Sequence, residues 1–166
     1  LSLVKMDKTS TDLNVKPENI NELVERILKR LRPIAATRNV EVIFESFRPV
    51  TAEVDEVKMT LAISNLVENA IKYNQEEGWV QVSLNADHKY FYLKVADSGM
   101  GIPQESLDHI FERFYRVDKS HSREIGGTGL GLAIVKQFTE QMGGVAEASL
   151  QRDCFTVEIR MPLYKV

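Results

Sequence analysis

The sequence predicts an α/β fold, a two-layer sandwich in which one mixed sheet of about five strands carries about three helices on one face. Three observations predict it. Three segments repeat apolar residues at the i, i+3, i+4, i+7 spacing of a half-buried helix, several short segments alternate apolar and polar residues, and the two kinds interleave along the chain. With 166 residues, 43% of them hydrophobic, the chain has material for one core and too little for a second full domain.

Leu1–Asp12 reads as the tail of an amphipathic element, and a start at Leu1 rather than methionine leads us to expect an excised fragment. Asn19 to Arg38 then places Ile20, Leu23, Val24, Ile27, Leu28, Leu31 and Ile34 on one helical face, with Asn19 or Asn21 as N-cap. Val40 to Ser46 alternates as a strand, Pro49 to Val54 offers a second, and a regular helix runs from near Asp55 to about Tyr73. Glu77-Gly78 breaks it. Strands over Val80–Asn85 and Tyr90–Ala96, joined by the polar turn Ala86–Lys89, form an expected hairpin. From Asp97 the chain becomes Gly- and Pro-punctuated, and Phe114 to Gly127 is charged and aperiodic, the texture of a functional loop. Helical spacing returns over Thr128–Met142 and stops at Gly143-Gly144. Strands over Val145–Leu150 and Cys154–Met161 close the chain, the last with Phe155, Val157, Ile159 and Met161 on one face.

Composition excludes several classes of function. Twenty-one Lys and Arg against 24 Asp and Glu give a net charge of -3, which argues against a nucleic-acid-coating or polybasic membrane-surface protein. The single cysteine, Cys154, excludes an internal disulfide framework and a cysteine-clustered zinc site. It lies on the strand face opposite Phe155 and Val157, where a small structural role is expected. No apolar run approaches the roughly 20 residues of a membrane span.

Four features carry chemistry. Asn65 and Asn69, four apart on the expected helix, share a face with Lys72 and Tyr73 a turn further on. Mid-helix asparagine costs a few tenths of a kcal/mol relative to alanine. Two readings are open, solvated amides or amide oxygens that ligate Mg²⁺, a hard cation that keeps several waters. Asp97-Ser98-Gly99-Met100-Gly101-Ile102-Pro103 follows a strand and gives either an ordinary turn or close backbone approach to a flat ligand. It lacks the third glycine and helix of a dinucleotide fingerprint. Gly126 to Leu132 sets four glycines at the start of an apolar helix, either for tight packing on the sheet or as a phosphate cradle of exposed N–H groups and helix dipole. No GK[ST] ends the run, so it is not a P-loop. Arg113, Arg116, Lys119 and Arg123 precede it, either solvated or available to neutralise a polyphosphate.

Taken together, Asn65-Leu-Val-Glu-Asn69-Ala-Ile-Lys72-Tyr73, Asp97-Ser-Gly99-Met-Gly101, Phe111-Glu-Arg-Phe114-Tyr115-Arg116 and Gly127-Thr128-Gly129-Leu130-Gly131-Leu132 resemble the N, G1, F and G2 boxes of the sensor histidine kinase ATP-binding domain. The resemblance covers roughly residues 15 to 163, and Leu3-Val4-Lys5-Met6-Asp7 is similar to the end of the dimerisation helix that precedes it in such kinases. It implies the Bergerat sandwich shared with DNA gyrase, MutL and heat-shock-type chaperone ATPases. Residues 1–14 would be a remnant of the dimerisation helix and linker, 15–166 the catalytic domain, and about 114–127 a mobile ATP lid anchored by Phe111 and Phe114.

The resemblance further implies ATP and Mg²⁺. Asn69 would ligate the metal, Asn65 would support the metal shell or phosphates, Lys72 would reach the phosphates and Tyr73 would pack near the nucleoside. Asp97 would accept from the exocyclic amine of adenine, favouring ATP over GTP. Gly99, Gly101, Ile102, Phe111, Gly127, Thr128, Gly129, Leu130, Gly131 and Leu132 would complete the ATP site. Arg116 would close on the phosphates, making Asn65, Lys72 and Arg116 the catalytic set. Gyrase-type hydrolases begin the N box with a glutamate base; an amide at Asn65 cannot accept that proton, so efficient hydrolysis is not expected.

None of His88, His109 and His121 precedes the acidic residue and Thr/Asn-Pro of the family's phosphoacceptor motif. The acceptor is therefore expected on an upstream dimerisation domain, with a response regulator served through it. Nucleic acid and direct membrane contact are not expected of this chain. A cytoplasmic location and a monomeric fragment are. Two alternatives are a non-catalytic nucleotide-gated interaction module and a serine/threonine kinase of the anti-sigma or mitochondrial sort, which typically carries Glu at the position of Asn65.

Overall fold

The computed structural model describes residues 13–99, 104–112, 131–152 and 154–164. Strand β1 (Val15–Asn19) runs directly into helix α1 (Ile20–Thr37), because Asn19 has extended backbone and its side chain accepts the Glu22 N–H at 3.0 Å. Of the two candidate caps, Asn19 takes the role. Asn21 instead ties the helix to the following loop, donating to Ser46 Oγ at 2.6 Å and accepting from Val50 N–H at 2.7 Å. The apolar stripe faces inward as its spacing predicts, except that Ile34 is half exposed near the helix end.

Strands β2 (Glu41–Ser46) and β3 (Thr51–Asp55) follow, then helix α2 (Glu56–Lys72) and the hairpin β4 (Trp79–Ala86) and β5 (Tyr90–Asp97). A 3₁₀ turn at Gln104–Ser106, helix α3 (Gly131–Gln141) and strands β6 (Val145–Gln151) and β7 (Cys154–Pro162) complete the described chain. The main sheet has the order β2-β4-β5-β7-β6, with β2 and β4 parallel and every other pair antiparallel. Register places Leu84 opposite Leu93 and Leu93 opposite Ile159, so one face is a continuous apolar layer. Val80, Val82, Phe91, Val95, Val157 and Met161 extend that layer, and the helices pack over it. The opposite face carries Ser83, Tyr92, Lys94, Glu158 and Arg160. Asp87 closes the hairpin by accepting from Lys89 N–H, Tyr90 N–H and the Tyr92 hydroxyl. Those bonds, the Tyr92 hydroxyl foremost, pull its carboxyl down to about 2. His88 is exposed in the same turn.

The five-stranded mixed sheet and three helices agree with the sequence. The addition is a second, two-stranded sheet: β3 lies outside the main sheet and pairs antiparallel with β1, Val15 opposite Asp55 and Asn19 opposite Thr51. Alternation had identified β3, whose Ala52 and Val54 point into the core, but alternation says nothing about which strand pairs with it. In β1, Val15-Lys16-Pro17-Glu18-Asn19 has little strand character, and Pro17 is tolerated because β1 is an edge. Cys154 is half buried and unbridged at the start of β7. The expected lid, residues 1–12 of the expected remnant at 1–14, His121 and residues 128–130 of the third expected helix lie outside the described residues.

Candidate active site

Helix α2 presents the first half of the site. Its N-terminus is fixed by Asp55, whose Oδ1 accepts Lys58 N–H at 3.1 Å and whose Oδ2 accepts Asn14 N–H at 2.9 Å. Met59, Ala62, Ile63, Leu66, Val67, Ala70 and Ile71 bury one side of the helix. Helix α3 packs against a second side, where Lys58 donates to Gln141 Oε1 at 2.8 Å and lies over the Phe138 ring. The remaining side carries Asn65, Asn69 and Lys72. Both asparagines are half buried, and neither side chain hydrogen-bonds to a described residue; Lys72 is exposed. A Cβ at Gly131 would stand 3.4 Å from Asn69 Nδ2, so the start of α3 lies directly beside that amide.

The second half sits at the end of β5. Asp97 is 8% exposed, and its Oδ1 accepts the Gly99 N–H at 2.8 Å. Among the described residues nothing else bonds to this carboxylate, which leaves Oδ2 open. Burial lifts its pKa from 3.8 to about 6, a rise that the Gly99 N–H partly offsets. The two halves meet where α2 ends. Tyr73 caps the helix, its N–H bonded to the Asn69 carbonyl, and a Cβ at Gly99 would fall 2.8 Å from the Tyr73 carbonyl and 2.7 Å from Asp97 Oδ1. Only glycine lets the turn after β5 sit that low, so the carboxylate and the asparagine face are joined through Tyr73.

The structure thus brings together Asn69, Tyr73, Asp97, Gly99 and Gly131, with Asn65 and Lys72 a helical turn away on α2. Phe111 and Leu132 are partly buried and packed against the core. Gly101, Ile102, Arg113, Phe114, Arg116, Lys119, Arg123 and Gly127 to Leu130 lie outside the described residues. Two residues of the same region, Asn74 and Ser98, escaped sequence reading. Asn74 is 5% exposed, yet in the sequence it is only a polar residue after a helix; its partners are 5 and 24 residues away.

The site thus sets two amides without partners among the described residues on α2, beside the start of α3, and a buried half-free carboxylate at the end of β5. The family model described as histidine kinase-, DNA gyrase B-, and HSP90-like ATPase matches residues 54–165. The chain belongs to this ATPase family. The sensor histidine kinase WalK of Bacillus subtilis (strain 168) is 37% identical over 147 residues, which are 87% of this chain and 24% of WalK. The chain therefore spans about a quarter of the length of that relative. The mycobacterial sensor histidine kinase MprB superposes with a TM-score of 0.78 at 28% identity, covering 92% of this chain and 99% of the MprB chain. Full-length ShkA, solved in complex with AMPPNP, gives 0.80 at 26% identity, over 93% of this chain and 32% of that one. Among the described residues no helix is long and apolar enough to cross a membrane.

Proposed function

We propose that this domain binds Mg-ATP and donates its γ-phosphoryl group to a histidine on a separate dimerisation domain, as the catalytic half of a two-component sensor kinase working on the cytoplasmic side. One observation carries the reading: α2 holds two asparagine amides without partners among the described residues, and its C-terminal end seats a turn that leaves one oxygen of a buried carboxylate free of them. The relatedness to WalK and the AMPPNP bound to ShkA support it.

Adenine would donate its exocyclic amine to Asp97 Oδ2. Guanine presents a carbonyl at that edge and would leave the buried carboxylate unpaired, a mismatch of several kcal/mol. The Asn69 amide oxygen suits a hard cation: it is half buried, beside Gly131, and committed to no other group among the described residues. Asn69 would hold Mg²⁺ with Asn65 supporting its shell or the phosphates; the ion, when bound, supplies charge neutralisation on the triphosphate. Lys72 is free to reach the phosphates as a point charge, with Arg116 joining from the lid. The amide at position 65 cannot accept a proton from water, so efficient hydrolysis is not expected and the γ-phosphoryl is kept for the incoming imidazole. Transfer then depends on positioning and neutralisation. His88 and His109 do not serve as acceptor in this reading. Both are exposed, and His109 is bonded to Glu112 at 2.8 Å.

The test is to mix this chain, Mg-ATP and the dimerisation domain of its parent kinase, made separately. Acid-labile phosphate on the dimerisation domain is expected, transferable to a response regulator. ATP binding without any phosphohistidine would sink the proposal in favour of a nucleotide-gated binding module.

A further inference from the structure

Asn74, Ser98 and Trp79 form a closed polar knot beneath the site. Trp79 N–H donates to Ser98 Oγ at 2.8 Å, Ser98 N–H donates to the Trp79 carbonyl at 3.1 Å, and Asn74 Nδ2 donates to that carbonyl at 2.8 Å. The carbonyl has two lone pairs, both now used. Ser98 Oγ lies 3.1 Å from Asn74 Oδ1 and 3.4 Å from the twice-bonded Trp79 carbonyl, so its one hydroxyl proton goes to the nearer amide oxygen. This assignment also fixes the amide: turned over, Asn74 would set its oxygen against the Trp79 carbonyl. Arg38 donates to the Asn74 carbonyl at 3.2 Å, and Gly78 has no room for a Cβ against Asn74 Oδ1 and Ser98 Oγ.

Asn74 follows Tyr73 at the end of α2, and Ser98 stands between Asp97 and Gly99. The knot thus ties the helix that carries Asn65, Asn69 and Lys72 to the turn that carries the carboxylate, through side chains that touch neither half of a nucleotide in the reading above. We propose that Asn74 and Ser98 are positioning residues that lock the Asp97 turn onto the end of α2 and so set adenine specificity without contacting adenine. The inference rests on Asp97 as the adenine acceptor. A carboxylate displaced by a fraction of an ångström would lose its aligned hydrogen bond to the amine, whereas the phosphate-binding side of α2 would stay in place.

The test measures the affinities of AMP-PNP, GMP-PNP and inorganic tripolyphosphate, each with Mg²⁺, for the wild-type chain and for Asn74→Ala, Ser98→Ala and Ser98→Thr. In Asn74→Ala and Ser98→Ala, AMP-PNP affinity is expected to fall about tenfold, with the other two ligands unchanged, so that the adenine-to-guanine ratio also falls about tenfold. Ser98→Thr keeps the hydroxyl and is expected to retain the wild-type ratio. A wild-type chain that does not prefer AMP-PNP would overturn the Asp97 reading and this inference with it. A wild-type preference that both alanine variants retain would overturn the positioning role alone. Equal losses for all three ligands would do the same, marking the knot as merely structural. Should Asn74→Ala not fold, the milder Ser98 pair decides between these outcomes.

Discussion

At Asp97, burial works against the charged carboxylate of the folded protein. The folded pKa of about 6 stands above the unfolded 3.8, so the native state holds an extra proton between those values. Stability therefore falls as pH rises through that window and is flat above it. Asp97→Asn is expected to remove this slope and to raise stability at neutral pH by up to about 2 kcal/mol, the worth of a two-unit shift less the cost of burying an amide. Denaturant titrations from below to above this window check it, and an unchanged slope would place the titration elsewhere. The same variant should bind AMP-PNP at least about tenfold more weakly, because one amide oxygen cannot accept from both Gly99 and adenine. Asn69 shows the same trade on a helix. Its amide has no partner among the described residues, so Asn69→Ala should leave the melting temperature unchanged or slightly raised. Mg-dependent nucleotide binding should be lost by calorimetry; retained binding would refute the metal assignment.

Among the elements, α2 is the one whose ends matter most. Asp55 caps it and also receives Asn14 N–H, so a single buried carboxylate joins the helix to the β1–β3 ribbon. Asp55→Ala is expected to cost about 1–3 kcal/mol by urea denaturation, a lost cap plus an unpaired N–H. Asp55→Asn should cost less, since its oxygen can still cap Lys58; equal losses would mean that the cap contributes nothing. The body of α2 was legible in the sequence because its apolar period and its cap are local signals. Its coupling to the strand ends was not, because Asn74 and Ser98 are ordinary polar residues until the fold sets them side by side. β1 was missed for a related reason. Pro17 and its polar neighbours carry no strand pattern, and only the exposed backbone of β3 makes them one.

For the whole molecule, hydrophobic periodicity disclosed the sandwich because every strand of the main sheet has one dry face and one wet face. It could not disclose strand order, which depends on pairings across long stretches of chain. Phe91, fully buried at the sheet centre, should cost about 3–5 kcal/mol when replaced by alanine, measured by denaturant unfolding; a loss under about 1 kcal/mol would show that the layer tolerates a large cavity. The order β2-β4-β5-β7-β6 places β7, the last of the described strands, inside the sheet, against β5. That has a consequence in time. Met161, opposite Phe91, lies 70 positions further along the chain, so the sheet cannot finish until β7 has left the ribosome. Until then the β4–β5 hairpin, whose apolar face the earlier helix α2 can already cover, waits with its β5 edge unpaired, the interval in which the nascent domain is most exposed to wrong pairing.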